Sequence, residues 1–563
     1  MKEIRVICEN NNEECFFPFG TKLSKVAEKF NIKLDFPTLG ARVNNRIRSL
    51  DYHLVKSRKI KFIDYSDIDG QRIYKASVTF VLFNVIKELY PEYNLIIDHG
   101  ISSGAYCRLE KRPNGTDSKE IKELTKDNLQ EIKSKMQEII DSNIPFTRRE
   151  LLTLEAEQIY IKQGQQDKAE LLKYKGDLFT NLYKLQKHFN NFYVPHLKST
   201  GDIGLFDIHQ YFDGFVVMFP KSTDFGSIAD FVPQNKYFEV IREHKEWADI
   251  LQIPTVARLN HSVDNNQSSK VIQVCEALHE KRIVNMAHEI FERKDMVKVI
   301  LIAGPSASGK TTSSKRLTVQ LAVNGIFAHV ISLDDYFVNR ELTPLDANGD
   351  YDFEALEAVD IDFFNKQLGQ LIEGQEVSLP RFNFHTGTRE FPIDAKLKLG
   401  ENDVVIVEGI HGLNPRLLTT IDDRRTYKIF ISALTQISID EQNYISSTDN
   451  RLLRRMLRDF KYRGYSAKDT IARWPSVKRG EIENIFPYQD NADAVFNSAL
   501  LYEFGVLKGF IDPILKTVPE RATEFSEAQR LLKLLSHFQV INDNSIPPTS
   551  LLREFLGGSS FEY

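Results

Sequence analysis

A glycine-rich segment in the middle of the chain has the residue types and the spacing that hold phosphate groups. An apolar stretch, Val297–Ala303, runs into Gly304-Pro305-Ser306-Ala307-Ser308-Gly309-Lys310-Thr311-Thr312. Glycines in such a loop let several backbone N–H groups point at one anion, and the N-terminus of the next helix adds a positive dipole end. We expect Lys310 to reach the β- and γ-phosphates and Thr311 to hold Mg²⁺. An ordinary Gly/Ser-rich turn would not explain the Lys and Thr, so residues 304–312 are predicted to bind a nucleoside triphosphate.

Two acidic residues follow strand-like segments on the C-terminal side of this loop. Ala328–Leu333 is predicted to be a buried strand that ends at Asp334, and Val404–Val407 is predicted to end at Glu408. Function concentrates at the carboxyl ends of strands in doubly wound α/β domains. An acid there can accept the proton of an attacking hydroxyl or bind Mg²⁺. Thr311, Asp334 and Glu408 are the predicted metal site, with Glu408 bound directly or through water.

An arginine-dense helical segment comes later, from Arg451 through Arg463 to Arg473. Phosphoryl transfer needs positive charge over the transferring oxygens, and a hinged, arginine-bearing lid can supply it while excluding water. A solvated basic helix is the simpler interpretation, and a nucleic-acid patch is the third. A nucleic-acid patch would have aromatic residues between its basic ones, and this segment has few of them, including Tyr462 and Tyr465. We predict the lid.

These motifs, in this order, resemble the uridine kinase and phosphoribulokinase family of P-loop kinases over about residues 297–502. The resemblance implies that Asp334 is the catalytic base and that Asp352 binds the ribose hydroxyls. It implies that Glu408 is the acid of a Walker B-like strand. The further residues that it places at the site are catalytic Lys310, Arg455 and Arg458, phosphate-binding Arg463, and substrate-binding Phe382, Arg389 and Arg455.

The sequence departs from that family where the base of the acceptor is recognised. Uridine kinases use a Tyr and a His for the pyrimidine, and Phe382 and Gly387 occupy those positions here. Tyr465 replaces an expected lid arginine. A site without polar groups cannot reject a wrong base by leaving those groups unpaired. His385 or Asn383, a residue or two away, are substitutes that the sequence leaves open.

The first 220 residues or so resemble the front of threonyl-tRNA synthetases. Strand patterns at Ile4–Ile7 and Lys59–Ile63, a turn with a capped helix at Gly20–Ala27, and Ala41–Asn44 are similar to the ubiquitin-like TGS domain. The following segments resemble the editing domain of the same synthetases, with a helix, a Gly-rich turn and a later loop: Arg72–Pro91, Asp98–Tyr106 and Val194–Gly201.

The polar groups of the family's editing centre are mostly missing. Its His-x-x-x-His pair falls on Ala76 and Phe80, and its Cys falls on Phe192. Only His196 remains, and one imidazole makes neither a metal site nor a hydrolytic centre. The domain is therefore predicted to have lost this chemistry, with His196 a surface or satisfied core histidine.

The predicted fold class is α/β: a P-loop NTPase with a doubly wound parallel sheet, preceded by two α+β domains. The expected division is 1–65 TGS-like, 66–225 editing-like, 226–292 helical connector, 293–510 kinase-like and 511–563 helical cap. Residues 110–190 read as charged and helix-friendly. A chain of 563 residues is too long for one core.

Composition narrows the class of protein further. A net charge of −5 argues against a general nucleic-acid surface. The four cysteines form no Cys-x-x-Cys pair, and neither a signal peptide nor a membrane span is indicated. A cytoplasmic protein is expected.

We predict an enzyme, an ATP- and Mg²⁺-dependent kinase that phosphorylates the 5′-hydroxyl of a nucleoside, uridine or cytidine. One alternative is an RNA-associated regulator that hydrolyses ATP, with weak RNA association through the N-terminal half. The other is a kinase of a different sugar or small alcohol. A homo-oligomer is expected from the family resemblance, and the acceptor and the role of the front domains stay open.

Overall fold

The computed structural model describes residues 3–111, 119–345, 349 and 351–562. No helix in those ranges is both long and apolar enough to cross a membrane. Five successive parts of the chain are described below. They are an N-terminal unit, a second unit, a helical connector, the nucleotide unit and a C-terminal cap.

The N-terminal unit is a sheet with one helix across it, in the strand order β2-β1-β7-β4-β5. Its elements are β1 Glu3–Cys8, β2 Glu13–Pro18, β3 Thr21–Lys22, α1 Leu23–Lys29, β4 Gly40–Val43, β5 Arg46–Arg48, β6 His53–Leu54 and β7 Arg58–Ile63. The predicted capped helix has no side-chain cap. Backbone carbonyls replace it, because the N–H groups of Leu23 and Ser24 donate to the carbonyls of Tyr52 and Leu50.

The second unit packs a long, mostly buried helix against an antiparallel sheet. Its elements are α2 Ile68–Leu89, β8 Asn94–Ile101, β9 Gly104–Lys111, β10 Glu120–Ile121, α3 Lys126–Asp141, β11 Thr147–Leu152, α4 Thr153–Lys162, α5 Gln166–Lys175, β12 Phe179–Leu185, β13 His188–Asn190, β14 Asp207–Tyr211, β15 Gly214–Met218, β16 Pro220–Lys221 and β17 Asp224–Ile228. One expectation was wrong here. The strands β11, β12 and β13 interrupt the helical stretch predicted for 110–190, because they pair with one another, which charge and local pattern do not reveal. The predicted Gly-rich turn joins β8 to β9 in a hairpin.

The predicted remnant of an editing centre is an aromatic cluster in the core of this unit. His196 is fully buried, and ring centroids of Phe80, Phe146, Phe192 and Tyr183 lie 4.2 to 5.6 Å from its own. His196 is therefore a core histidine rather than a surface one, and neither imidazole nitrogen has a well-formed hydrogen bond to the described residues. No group of three metal-binding side chains occurs among the described residues. Phe80 and Phe192 place aromatic rings against His196 in this cluster.

The connector and the nucleotide unit share one hydrophobic core. Their elements are α6 Asn235–Ile250, α7 Val256–Asp264, α8 Ser268–Glu292, β18 Val299–Ala303, α9 Lys310–Val323, β19 Phe327–Ser332, α10 Ile361–Ile372, β20 Val377–Ser378, β21 Arg381–Asn383, β22 Thr388–Glu390, β23 Lys396–Leu397, β24 Asp403–Glu408, β25 Thr426–Ser432, β26 Ser438–Asp440, β27 Asn443–Tyr444, α11 Ser447–Tyr462, α12 Ala467–Asn484 and β28 Ala494–Asn497. The central sheet is parallel, in the order β19-β24-β18-β25-β28.

This sheet confirms the predicted doubly wound α/β fold and corrects one strand. The predicted buried strand before Asp334 is β19, an edge strand whose Phe327 and Val330 are exposed. A short apolar run has the same appearance at the edge and at the centre of a sheet, so local sequence could not separate the two.

The C-terminal cap consists of α13 Glu503–Lys516, α14 Phe525–Leu535 and α15 Arg553–Leu556. Its apolar residues belong to the same core as the sheet of the nucleotide unit, and Leu551, Leu552 and Phe555 are fully buried. The last helix reaches back to the phosphate loop, with consequences described below.

Acid should destabilise the protein in part through His196. Burial lowers the pKa of His196 from 6.5 to about 3. Below about pH 6.5 the His196 imidazole binds a proton in the unfolded chain but not in the folded chain. The free energy of unfolding therefore falls as the pH drops from 6.5 toward 3. This single group accounts for about 2 kcal/mol between pH 7 and pH 5.

The variant His196→Phe suits the aromatic cluster and should remove that share of the pH dependence. Urea unfolding at pH 7 and pH 5 measures it, and His385→Phe, at an exposed position, is the matched control. An unchanged pH dependence in His196→Phe would mean that the imidazole titrates normally in the folded chain.

Candidate active site

The phosphate loop, residues 304–312, follows β18 and opens α9. Ala307 and Gly309 have positive φ angles of 58° and 85°, which turn the loop back on itself. A Cβ on Gly304 would lie 2.0 Å from the Ile431 carbonyl oxygen, so only glycine fits where the loop passes β25. The N–H groups of Gly309, Lys310 and Thr311 have no hydrogen-bond acceptor within the described residues. Such a cradle of free amides at a helix N-terminus is chemically suited to a polyphosphate.

A buried ion pair holds this loop from the outside. Arg451 on α11 and Glu481 on α12 pair with their side chains 3% and 1% exposed. Arg451 donates to the Ser306 carbonyl at 3.2 Å, and Glu481 accepts the Ser306 N–H at 3.1 Å. The guanidinium of Arg455 donates to the Ser306 hydroxyl at 2.8 Å. Both sides of Ser306 are thus fixed by residues from the two helices.

Lys310, Thr311 and Glu408 come together at the carboxyl end of the sheet, as predicted. Lys310 Nζ donates to the Gly304 carbonyl at 2.9 Å, and Thr311 Oγ1 donates to Glu408 Oε1 at 2.8 Å. Burial raises the pKa of Glu408 to about 6, against the opposing effect of Lys310. Mg²⁺ prefers one or two carboxylates together with waters and substrate phosphates. A buried carboxylate beside a hydroxyl therefore fits the predicted ion.

Asp334 lies in the same cleft, on the 3₁₀ turn Leu333–Tyr336 that follows β19. Burial raises its pKa above the ordinary 3.8, while the positive charges of Lys310, Arg463 and Arg458 oppose that rise. The structure thus brings Asp334 within electrostatic reach of the phosphate loop and of two predicted arginines. A carboxylate in this position is suited to accept a proton from a bound hydroxyl.

A buried aspartate that the sequence analysis missed organises the predicted arginines. Asp459, with 3% of its side chain exposed, forms ion pairs with Arg455 at 3.3 Å, Arg458 at 3.2 Å and Arg463 at 3.6 Å. One carboxylate thereby aims three guanidinium groups toward the side of the cleft that contains Asp334. In the sequence, the role of Asp459 was indicated only by its position in a run of basic residues on α11.

The other arginines of this segment do not belong to a lid. Arg454 is fully buried and pairs with Glu503 on α13, and Arg451 is committed to Glu481. Leu452, Leu453 and Met456 lie in the core between them. The predicted hinged helix is therefore an anchored core helix. Arg455 reaches the Ser306 hydroxyl from it, and Arg458 and Arg463 lie near Asp334 at its C-terminal end. Residue type and spacing alone could not separate inward from outward arginines.

On the acceptor side, the guanidinium of Arg389 is engaged by groups of the protein itself. It pairs with Asp360 at 3.0 Å and donates to the carbonyls of Tyr336 and Phe337 at 3.1 and 2.9 Å. Its guanidinium also lies over the Phe363 ring. Arg389 is thus a positioning residue for the turn that contains Asp334.

The residues that replace the family's base-reading groups lie in the hairpin β21–β22. Phe382 is 4% exposed and packs edge-on against Phe337, while its N–H donates to Asp335. Gly387 has a φ of 74°, and a Cβ there would lie 2.8 Å from Arg340, so a histidine at this position would be strained. Asn383 is committed to the turn, because its side chain accepts the N–H of His385.

Two acidic residues near the predicted acceptor site have different surroundings. Asp352 accepts the N–H of Glu354 at 3.0 Å. Burial, together with the negative charges of Glu481 and Asp334, raises the pKa of Glu354 itself to about 7. Glu354 lies beside Gly480 of α12, where a Cβ would meet its side chain. The sequence analysis missed Glu354, since no motif marks it.

The cap contributes an acid to the phosphate loop, also unforeseen. Glu554 accepts hydrogen bonds from the Thr312 hydroxyl at 2.6 Å and the Thr312 N–H at 3.3 Å. Leu551 lies against Gly309, where a Cβ would be 2.7 Å from its side chain. Thr312, a predicted phosphate ligand, is thus engaged by a carboxylate 242 residues away.

The parallel sheet, the glycine loop at its carboxyl edge and the helix that follows define a P-loop nucleotide-binding domain. Residues 299–501 match the family model described as Phosphoribulokinase / Uridine kinase family. This segment of the chain is therefore similar to that family.

Relatives of the two halves differ. A uridine kinase from Borrelia duttonii is 29% identical over 235 residues, which are 39% of this chain and 97% of that protein. A threonine–tRNA ligase from Clostridium kluyveri is 31% identical over 192 residues, 34% of this chain. The chain spans only 29% of that ligase. The similarity to the ligases is to the N-terminal half, so the resemblance of both halves is confirmed.

Solved structures overlap the chain weakly. A possible uridine kinase from Bacillus stearothermophilus is 21% identical, with 38% of this chain and 98% of that chain covered and a TM-score of 0.24. D-glycerate 3-kinase from Cryptococcus neoformans is 12% identical, with coverages of 50% and 90% and a TM-score of 0.21. The strand order and the family match, rather than these overlaps, define the domain.

Removing the charge of Asp459 should disperse the three arginines. We expect Asp459→Asn to lower kcat about 10- to 100-fold, because misplaced transition-state charges cost that much even when every reacting group is present. Steady-state phosphoryl transfer measures it. Asp469→Asn, which removes an exposed acid from the first turn of α12, is the control. A normal kcat in Asp459→Asn would show that the arginines need no common anchor.

The carboxylate of Glu554 should oppose nucleotide binding at Thr312. We expect Glu554→Gln to bind ATP about three- to tenfold more tightly, since it keeps an acceptor for Thr312 and removes a negative charge near the triphosphate. Calorimetric titration with ATP measures the change. Glu562→Gln alters a distant acid of the same segment as a control. Weaker ATP binding in Glu554→Gln would mean that the carboxylate supports the loop.

Proposed function

We propose that the chain is an ATP- and Mg²⁺-dependent kinase that phosphorylates the 5′-hydroxyl of a nucleoside, with uridine or cytidine as the acceptor. The observation that carries the proposal is the meeting of Asp334 with Lys310, Arg458 and Arg463 above the phosphate loop. The family of residues 299–501 supports it, and so does the similarity to a uridine kinase along nearly its whole length.

The chemistry follows from these positions. The free amides of the loop and Lys310 bind the β- and γ-phosphates, and Mg²⁺ on Thr311 and Glu408 would neutralise charge on those oxygens. Asp334 takes the hydroxyl proton as the acceptor oxygen bonds to the γ-phosphorus and the bond from that phosphorus to the bridging oxygen breaks. The arginines held by Asp459 stabilise the charge that spreads over the transferring oxygens and the ADP that leaves.

The acceptor pocket favours a flat apolar group over a strongly hydrogen-bonded one. Phe337, Phe382 and Phe384 pack against one another beside Asp335, and of these three rings Phe384 is the exposed one. Such a wall packs against a base without selecting its polar edge, so discrimination among bases should be modest. Because these aromatic side chains do not require a base, a kinase of a different alcohol is the second candidate.

Asp334→Asn should abolish turnover while ATP binding persists. Loss of a general base typically costs 10²- to 10⁴-fold, so we expect kcat to fall by about 10³-fold with the Kd for ATP within about threefold. Asp335→Asn is the matched control, because an asparagine oxygen still accepts the Phe382 N–H. Near-normal rates in Asp334→Asn would falsify the assignment of the base.

Transfer from labelled ATP to nucleosides, sugars and pantothenate-like alcohols identifies the acceptor. The proposal expects labelled nucleoside 5′-monophosphates that depend on Asp334. Transfer only to a sugar or another alcohol would show that the chain is a kinase but that its acceptor is not a nucleoside. Hydrolysis of ATP without transfer to any acceptor would contradict both.

A further inference from the structure

A large cavity lies far along the chain from the phosphate loop, where three units meet. Its volume is about 920 Å³. β5 and the loop after it form one side, β11 and the segment Tyr193–Pro195 form a second, and α14 of the cap forms a third. No described residue between 304 and 312 lines it. The cavity is therefore separate from the nucleotide site and exists only where the cap docks on the front half of the chain.

The lining of this cavity is strongly basic. Seven lysines and arginines face it against three carboxylates. Four of the cations are committed to ion pairs: Lys22, Arg46, Arg72 and Arg530. The remaining three, Arg48, Arg148 and Lys533, form no ion pair with a carboxylate in the described part of the chain. We call these three residues the free cations.

The free cations lie close enough to repel one another. Lys533 donates to the Tyr193 carbonyl at 2.7 Å, so its ammonium is held in place without being neutralised. Burial, with the positive charges of Lys175, Arg148 and Arg48, lowers the pKa of Lys533 to about 8. Like charges that converge without counter-charges destabilise the folded chain. A bound anion removes that cost.

The chemistry of the lining selects the type of anion. Arginine presents a planar fork of donors that matches phosphate oxygens, and two of the three free cations are arginines. The Tyr52 ring lies under the Arg48 guanidinium at 5.1 Å, and the Tyr193 ring lies 5.8 Å from the Lys533 ammonium. These rings give an aromatic surface beside the charge. A volume of about 920 Å³ falls in the range of small-molecule sites.

We propose that this cavity binds a small polyanion with two or more phosphate groups, of the nucleotide class, between Arg48, Arg148 and Lys533. The free cations come from three different units, so a ligand held by all of them joins the front of the chain to the cap. An RNA strand is disfavoured because the charges converge in one cavity rather than along a groove, and because the net charge is −5.

The test uses the full chain with Lys310→Ala, which disables the phosphate loop, and inorganic tripolyphosphate as the probe. Calorimetry should give one site with a Kd of about 1 to 100 μM. Arg148→Gln should weaken binding about 10-fold, and the triple variant Arg48→Gln, Arg148→Gln, Lys533→Gln should weaken it at least about 100-fold. The matched control is Arg149→Gln, because Arg149 neighbours Arg148 on β11 but does not line the cavity.

Equal affinity of the triple variant and the parent overturns the proposal, and so does equal loss in Arg149→Gln. Because Arg148 is exposed, its single variant should fold even if the triple variant does not. Competition separates the sources of phosphate. Displacement of tripolyphosphate by ADP or ATP supports a nucleotide. Displacement only by a short RNA, with a steep dependence on salt, would assign the cavity to RNA and overturn the small-molecule proposal.

Discussion

The geometry of the nucleotide site depends on the buried ion pair between Arg451 and Glu481. The pair contacts both the N–H and the carbonyl of Ser306, so the phosphate loop has its outer side fixed by α11 and α12. A buried charge left without its partner is costly, so neither side chain can leave alone. α11 also contains Asp459, which aims the guanidinium groups toward the cleft. The loop that binds phosphate and the arginines that stabilise its transfer are therefore positioned by one helix.

The connection between the front half and the nucleotide unit is also made of buried charge. Asp98 on β8 pairs with Lys245 on α6 and with Arg108 on β9, each at 2.8 Å. The backbone N–H of Ile97 donates to the Glu441 carbonyl next to β26. Hydrogen bonds and ion pairs of this kind fix register and orientation more than they add stability. The second unit is thus attached to the nucleotide unit through specific contacts.

Local sequence predicted the parts of the site that follow one another along the chain. The strand, glycine loop and helix were fixed by short motifs, and Glu408 by the apolar strand before it. The contacts that complete the site join residues far apart in sequence, such as Arg454 with Glu503, or Thr312 with Glu554. Residue type gave no hint of those partners. The arginines of α11 illustrate the limit, because Arg454 and Arg455 have the same chemistry, but Arg454 points into the core and Arg455 reaches the phosphate loop.

The docking of α15 on the phosphate loop has a consequence for the order of synthesis. Leu551 packs on Gly309 and Glu554 bonds to Thr312, so the loop does not have its full set of neighbours until residue 554 has left the ribosome. Contacts across such a separation form late in folding, because the loop-closure entropy must be overcome first. A nascent chain can hold a folded front half while its nucleotide site is still incomplete.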